Sequence, residues 1–123
     1  MSIFKKDTKG LAINASNLKI KGAVFFNKGF TAKGEVSLYW ADIGDRLECT
    51  GGSFFKPDGD ALSADGIKVR GGVFFKADYA DNGAIRPFTA NGEVRFNGAG
   101  IGGRLNCTGG QFSNPQRETT PTK

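Results

Sequence analysis

The stretch GEVSLYWADIGDRLECTGGSF, from Gly34 to Phe54, returns as GEVRFNGAGIGGRLNCTGGQF, from Gly92 to Phe112. A second pair tells the same story: LKIKGAVFF, from Leu18 to Phe26, returns as IKVRGGVFF, from Ile67 to Phe75. The chain is therefore a duplicated unit. The pairs are offset by 58 and 49 residues, so about nine extra residues lie in the second copy between Phe75 and Phe88. Each copy divides again. Ile20, Val24 and Phe26 are followed at the same spacing by Ile43, Leu47 and Cys49, by Val69, Val73 and Phe75, and by Ile101, Leu105 and Cys107. Three further columns keep that register: Ile13, Val36, Leu62 and Val94; Ala15, Leu38, Ala64 and Phe96; Leu18, Ala41, Ile67 and Ala99.

Six columns in one register predict coils over about 11 to 33, 34 to 59, 60 to 91 and 92 to 114. Within each coil the apolar positions are two apart, as in Val24 and Phe26 or Val36 and Leu38, which is the period of a strand. Gly22, Asp45, Gly71 and Gly103 fall between paired apolar positions, where the chain bends. A unit of some 23 residues has too little core to stand alone, so the coils must stack, at about 4.8 Å per coil. The expected fold is all-β: a single-domain, right-handed parallel β-helix of about four coils over 11–114. Residues 1–10 are expected to form an N-terminal arm or cap, and 115–123, polar and Pro-bearing, a disordered tail. The competing fold is a β-barrel or sandwich. It needs hairpins, and Asp58-Gly59, Asp65-Gly66, Asn82-Gly83 and Asn91-Gly92 are the dipeptides that could turn them.

The shared pattern GEV-x-L-x-x-A-x-IGG-x-L-x-C-x-GG-x-F resembles that of uncharacterised bacterial β-helical repeat proteins. More distantly it resembles the bactofilin-type polymer-forming cytoskeletal domain, whose turns are shorter than these coils. The resemblance covers most of 11–114 and rests on glycine and apolar positions. It implies stacking and self-assembly, and it brings no catalytic residue.

Composition narrows the chemistry. The chain has no His, which removes imidazole acid/base catalysis and imidazole metal sites, and two Cys cannot form a zinc site alone. No stretch is long and apolar enough to span a bilayer, and MSIFKKDTKG lacks the apolar core of a signal peptide, so the expectation is a cytoplasmic protein. The net charge of +5 favours anionic encounters, and Lys19, Lys21, Arg46, Lys68, Arg70 and Arg104 recur at outward positions. Glu35, Glu48 and Glu93 interleave with them, so nucleic acid is not an expected partner.

No catalytic constellation, cofactor site or metal site is read from the residues. The cluster of Asp78, Asp81 and Asn82 lacks the spacing and terminal Glu of an EF-hand. Cys49 and Cys107 share a column two coils apart, about 9.6 Å by strand spacing, beyond disulfide reach, and both are expected to be free, buried thiols. Asn27 to Lys33, Ser53 to Gly59 and Lys76 to Phe88 are expected to share one edge of the stack, with Asp78, Tyr79, Asp81, Asn82 and Arg86 as its binding candidates. Strand alternation turns Phe25 and Phe74 outward, and with Tyr39 and Trp40 they predict an apolar patch for a homo-oligomer, a dimer first, or for a protein partner. Four coils stand only about 19 Å tall, so the two open ends are a large part of the surface and need covering. The functional expectation is a non-enzymatic structural or interaction module that self-associates. Small-molecule or carbohydrate binding at the loop edge is the alternative, and a β-helix enzyme the third reading.

Overall fold

Ile20, Ile43, Val69 and Ile101 lie side by side on adjacent parallel strands, the arrangement that the repeat register requires. The computed structural model describes residues 3–5 and 10–114, so the tail expected at 115–123 lies outside the described residues. Strands β1 to β17, in chain order, carry the regular structure, and no helix occurs among the described residues.

Each coil has four sides. Side one stacks β2 (Leu11–Asn14), β6 (Glu35–Ser37) and the second halves of β9 (Ser53–Ser63) and β14 (Thr89–Arg95), with Ile13, Val36, Leu62 and Val94 in one row. Side two stacks β3 (Lys19–Ile20), β7 (Asp42–Ile43), β10 (Lys68–Val69) and β15 (Gly100–Ile101). Side three stacks β4 (Val24–Phe25), β8 (Leu47–Glu48), β11 (Val73–Phe74) and β16 (Leu105–Asn106). Side four stacks β5 (Thr31–Lys33), the first halves of β9 and β14, and β17 (Gln111–Ser113). All of these pairs are parallel. β1 (Ile3–Lys5) adds to side four beyond β5, pairing Phe4 with Ala32, so the N-terminal arm supplies one strand of an incomplete extra coil.

The one antiparallel pair among the described strands is β12 (Asp78–Tyr79) with β13 (Ile85–Arg86), a hairpin inside the long insertion. Of the four dipeptides that could turn a hairpin, only Asn82-Gly83 lies in such a turn. Gly83 has φ near +85° and its N–H donates to the Ala80 carbonyl. No sheet closes into a barrel.

Side four corrects the expected loop edge. Phe30, Ala32, Phe54, Phe88 and Ala90 are core residues, and their segments are strands of the stack. The insertions do not share an edge: they leave from the two ends of side four. The coil-three hairpin emerges between sides three and four. In coil two, Lys56 to Gly59 bulge out between sides four and one, where β9 passes from Phe55, paired with Asn91, to Asp60, paired with Glu93. The sequence signal for a fourth side is FTAKGEV, Phe30 to Val36, repeated as FTANGEV, Phe88 to Val94. Seven-residue identity broken at one position marks a packed strand, because loops tolerate change where cores do not.

The core is a column of interlocking sizes. Phe26, Cys49, Phe75 and Cys107 alternate large and small, while Ala32, Phe54, Ala90 and Phe112 alternate in the opposite phase on the next side. Rings therefore meet both within a coil, where Phe26 lies 4.8 Å from Phe30 and Phe75 4.6 Å from Phe88, and between coils, where Phe54 lies 5.4 Å from Phe88 and Phe88 5.3 Å from Phe112. Such spacing is within the range where aromatic pairs contribute beyond their buried area.

Candidate functional site

Three surfaces carry the residues singled out in the sequence, and the structure separates them. The first is the corner between sides one and two. There Asn17, Trp40, Gly66 and Gly98 stack in register, each with φ between about +56° and +72°. A left-handed conformation costs a residue with a Cβ roughly 1–2 kcal/mol, so Trp40 occupies this position at a loss. Its indole lies on the Gly66 turn of the next coil, where an added Cβ would come 2.5 Å from the ring. Even so, Trp40 is 67 % exposed, and Tyr39 beside it is exposed as well.

The second surface is side three. Phe25 is 53 % exposed and faces outward, in row with Glu48, Phe74 and Asn106. Glu48 thus divides the expected aromatic stripe. The Arg46 guanidinium stands 5.1 Å over the Phe25 ring and the Lys76 ammonium 5.5 Å over that of Phe74, so cations cover part of both faces. The expected single patch of Phe25, Phe74, Tyr39 and Trp40 does not exist, because the four strands of side two stand between the corner and side three.

The third surface is the hairpin. Arg86 donates from Nε to Asp78 Oδ1 and from a terminal nitrogen to Asp78 Oδ2, both at 3.0 Å. This bidentate pair ties the two strands together over Gly51, so Asp78 and Arg86 hold the hairpin shape. Asn82 closes the turn, its side-chain oxygen accepting from the Ala84 N–H at 3.0 Å. What the hairpin presents outward is Tyr79 paired across to Ile85, both exposed, with Asp81 at the tip.

Two of the recurring basic positions, Arg46 and Arg70, pair with nearby carboxylates. Arg70 reaches Asp42 at 3.3 Å, and Arg46 lies 3.6 Å from Asp45 and 3.7 Å from Glu48. Across the coil three to four step, Arg95 holds Asp65 at 2.9 Å, and the Asn97 N–H also donates to that carboxylate at 2.8 Å. The Arg95 hydrogen bond is the larger cause that keeps the Asp65 carboxyl below its ordinary range. A carboxyl whose folded value is lowered adds stability above its unfolded value, and that stability is lost as pH falls through the folded one. Asp65→Asn should therefore lower the urea midpoint at neutral pH, with the two proteins converging in acid. A constant gap at every pH would disprove the assignment.

The stack also ends in one of the two open surfaces that its small height leads one to expect. Leu105 is 54 % and Phe112 46 % exposed, although their counterparts two coils earlier, Leu47 and Phe54, are fully buried. Cys107 corrects the expectation for the thiols: both are free, but only Cys49 is buried, since Cys107 stands on coil four, above which the described residues place no further coil. Burial, then the Glu48 charge, pushes the Cys49 thiol well above its ordinary range, and partial burial raises that of Cys107. Both thiols thus favour the protonated, weakly nucleophilic form. The signal for its residues is in the repeat itself, since coil four carries core-type residues at the end of the described stack.

No protein-family model, no curated protein and no solved structure matches the chain.

Proposed function

We propose that this protein is a non-enzymatic structural module that self-associates through the ends of its coil stack, with the coil-three hairpin as a projecting contact for a partner. One observation carries the reading: core-type side chains of coil four, Leu105 and Phe112 above all, are half exposed beside edges of β15, β16 and β17 that pair with no further strand among the described residues. Exposed apolar surface next to free strand edges is a template for another chain. Its support against an enzyme is chemical. Asp65 and Asp78 are held by arginines, and neither thiol is activated.

Light scattering after size exclusion, from low micromolar to near-millimolar protein, tests the reading. Mass should rise with concentration, and the rise should persist in high salt because the buried surface is apolar. A single monomer mass across the range overturns it.

A second reading, small-molecule or carbohydrate binding, is favoured by Trp40 alone, exposed in a left-handed turn that costs stability, a circumstance associated with function. Trp40 is the only Trp, so its fluorescence reports this corner directly. Saturable quenching or a blue shift on adding sugars would support this reading, and an unchanged spectrum across a glycan panel would remove it.

A further inference from the structure

We propose that the surface of coil four is a socket for coil one of a second copy, and that β1 is the strand that must leave for the two to join. The inference rests on the self-association reading and specifies its geometry.

The internal junctions supply the template. Coils one and three carry Phe26 or Phe75, Phe30 or Phe88, and Leu18 or Ile67; coils two and four carry Cys49 or Cys107, Gly52 or Gly110, and Ala41 or Ala99 at the same places. In the opposite phase, coils two and four carry Leu38 or Phe96 and Phe54 or Phe112, where coils one and three have Ala15 or Ala64 and Ala32 or Ala90. Every junction inside the molecule joins unlike coils, so in these five columns each large side chain faces a small one. Coil four ends on the second type. The coil that fits it is the first type, and coil one has that type at the other end of the same chain. Joining them would repeat the junction between coils two and three, with Leu105 beside Val24, Cys107 beside Phe26, Ile101 beside Ile20 and Phe112 beside Ala32 of the second copy. Two coil-four surfaces brought together are instead related by a two-fold axis, which sets their strands antiparallel and cannot reproduce the parallel register of any internal junction. Repetition of an internal junction thus favours head-to-tail over tail-to-tail association, and a heterologous contact of this kind propagates.

The glycine pattern agrees. Gly71 of coil three packs so closely on coil two that an added Cβ would lie 2.9 Å from the Asp45 carbonyl oxygen. Gly22 holds the same place in coil one, where no described residue would lie within 4 Å of the added Cβ. Coil one keeps a glycine clearance for a coil that the described residues do not provide.

β1 occupies part of that space. Its register pairs Phe4 with Ala32, so the β1 backbone extends side four by one strand beyond β5. It therefore pairs with β5 where β17 of an incoming copy would pair. Among the described residues no strand pairs with sides one to three of coil one on this surface, and side four is held by the chain's own strand. β1 is a displaceable cap that limits growth.

Complementation of blocked ends tests this in the full-length chain. Leu105→Asp blocks the socket and Ile20→Asp, at another exposed position, blocks coil one. Each alone should remain monomeric, and an equal mixture should give a dimer and nothing larger. Gly22→Val is the second block on coil one. Alkylation of Cys107 in folded wild-type protein at alkaline pH, which spares the buried Cys49, is the second block on the socket. Replacing both Ile3 and Phe4 by Pro removes a β5-facing N–H whichever way β1 is turned, and should tighten association by about tenfold or more. If Ile20→Asp and Gly22→Val associate as the wild type does while Leu105→Asp does not, contact is tail-to-tail. The inference then fails and self-association stands. If the Pro variant associates no more tightly than the wild type, β1 is not a cap. A wild-type monomer at all concentrations removes both.

Discussion

Phe54→Ala should destabilise the monomer by about 3–5 kcal/mol, whereas Phe112→Ala, the same change in the same column, should cost only about 1 kcal/mol. Phe54 has no exposed surface and lies 5.9 Å from Phe26, 5.7 Å from Phe30 and 5.4 Å from Phe88, so its removal leaves a cavity inside a continuous ring stack. Phe112 touches Phe75 and Phe88 on one side only, and water fills the space it vacates. Urea denaturation at low protein concentration measures both. The comparison also separates folding from assembly, since Phe112→Ala should cost association more than it costs the fold. Equal losses in the two variants would mean that Phe112 is enclosed in the monomer, and the open-end reading would be lost.

The second large effect is at the corner between sides two and three. Gly44→Ala should destabilise by roughly 1–3 kcal/mol, because its Cβ would be driven into the Lys21 backbone carbonyl of coil one, and backbone within a hydrogen-bonded stack cannot retreat as a flexible side chain does. Coil one at its own outer surface offers the control. Gly22→Ala meets no described residue within 4 Å, and its φ lies outside the left-handed range, so it should be neutral or stabilise by about 0.4–1 kcal/mol through the unfolded chain. Thermal unfolding of both variants at low concentration decides the matter. A Gly22→Ala monomer as unstable as Gly44→Ala would show that coil one is already covered on its outer surface.

Both expectations rest on a stack whose register was legible before any coordinates. Ile20, Ile43, Val69 and Ile101, or Val24, Leu47, Val73 and Leu105, could be placed as neighbours because inward positions of a coiled strand repeat at each turn. The surfaces were less legible. Phe25 and Trp40 were both identified as outward-facing, yet their distance from one another depends on how many sides a coil has. Asp78 and Arg86 looked like ligand-binding groups, but the hairpin turns them on each other.

The duplication in the sequence determined the parallel stacking, the four coils and which side chains share a column, since a period that persists through insertions admits one superposition. Only the tertiary structure decided that a coil has four sides, that the insertions leave from opposite ends of the fourth, and that Cys107 and Leu105 face water while Cys49 and Leu47 do not. The physical reason is that a repeat makes equivalent residues alike in sequence. Their exposure depends on whether another coil lies above them, and no residue of the last coil records that it is the last.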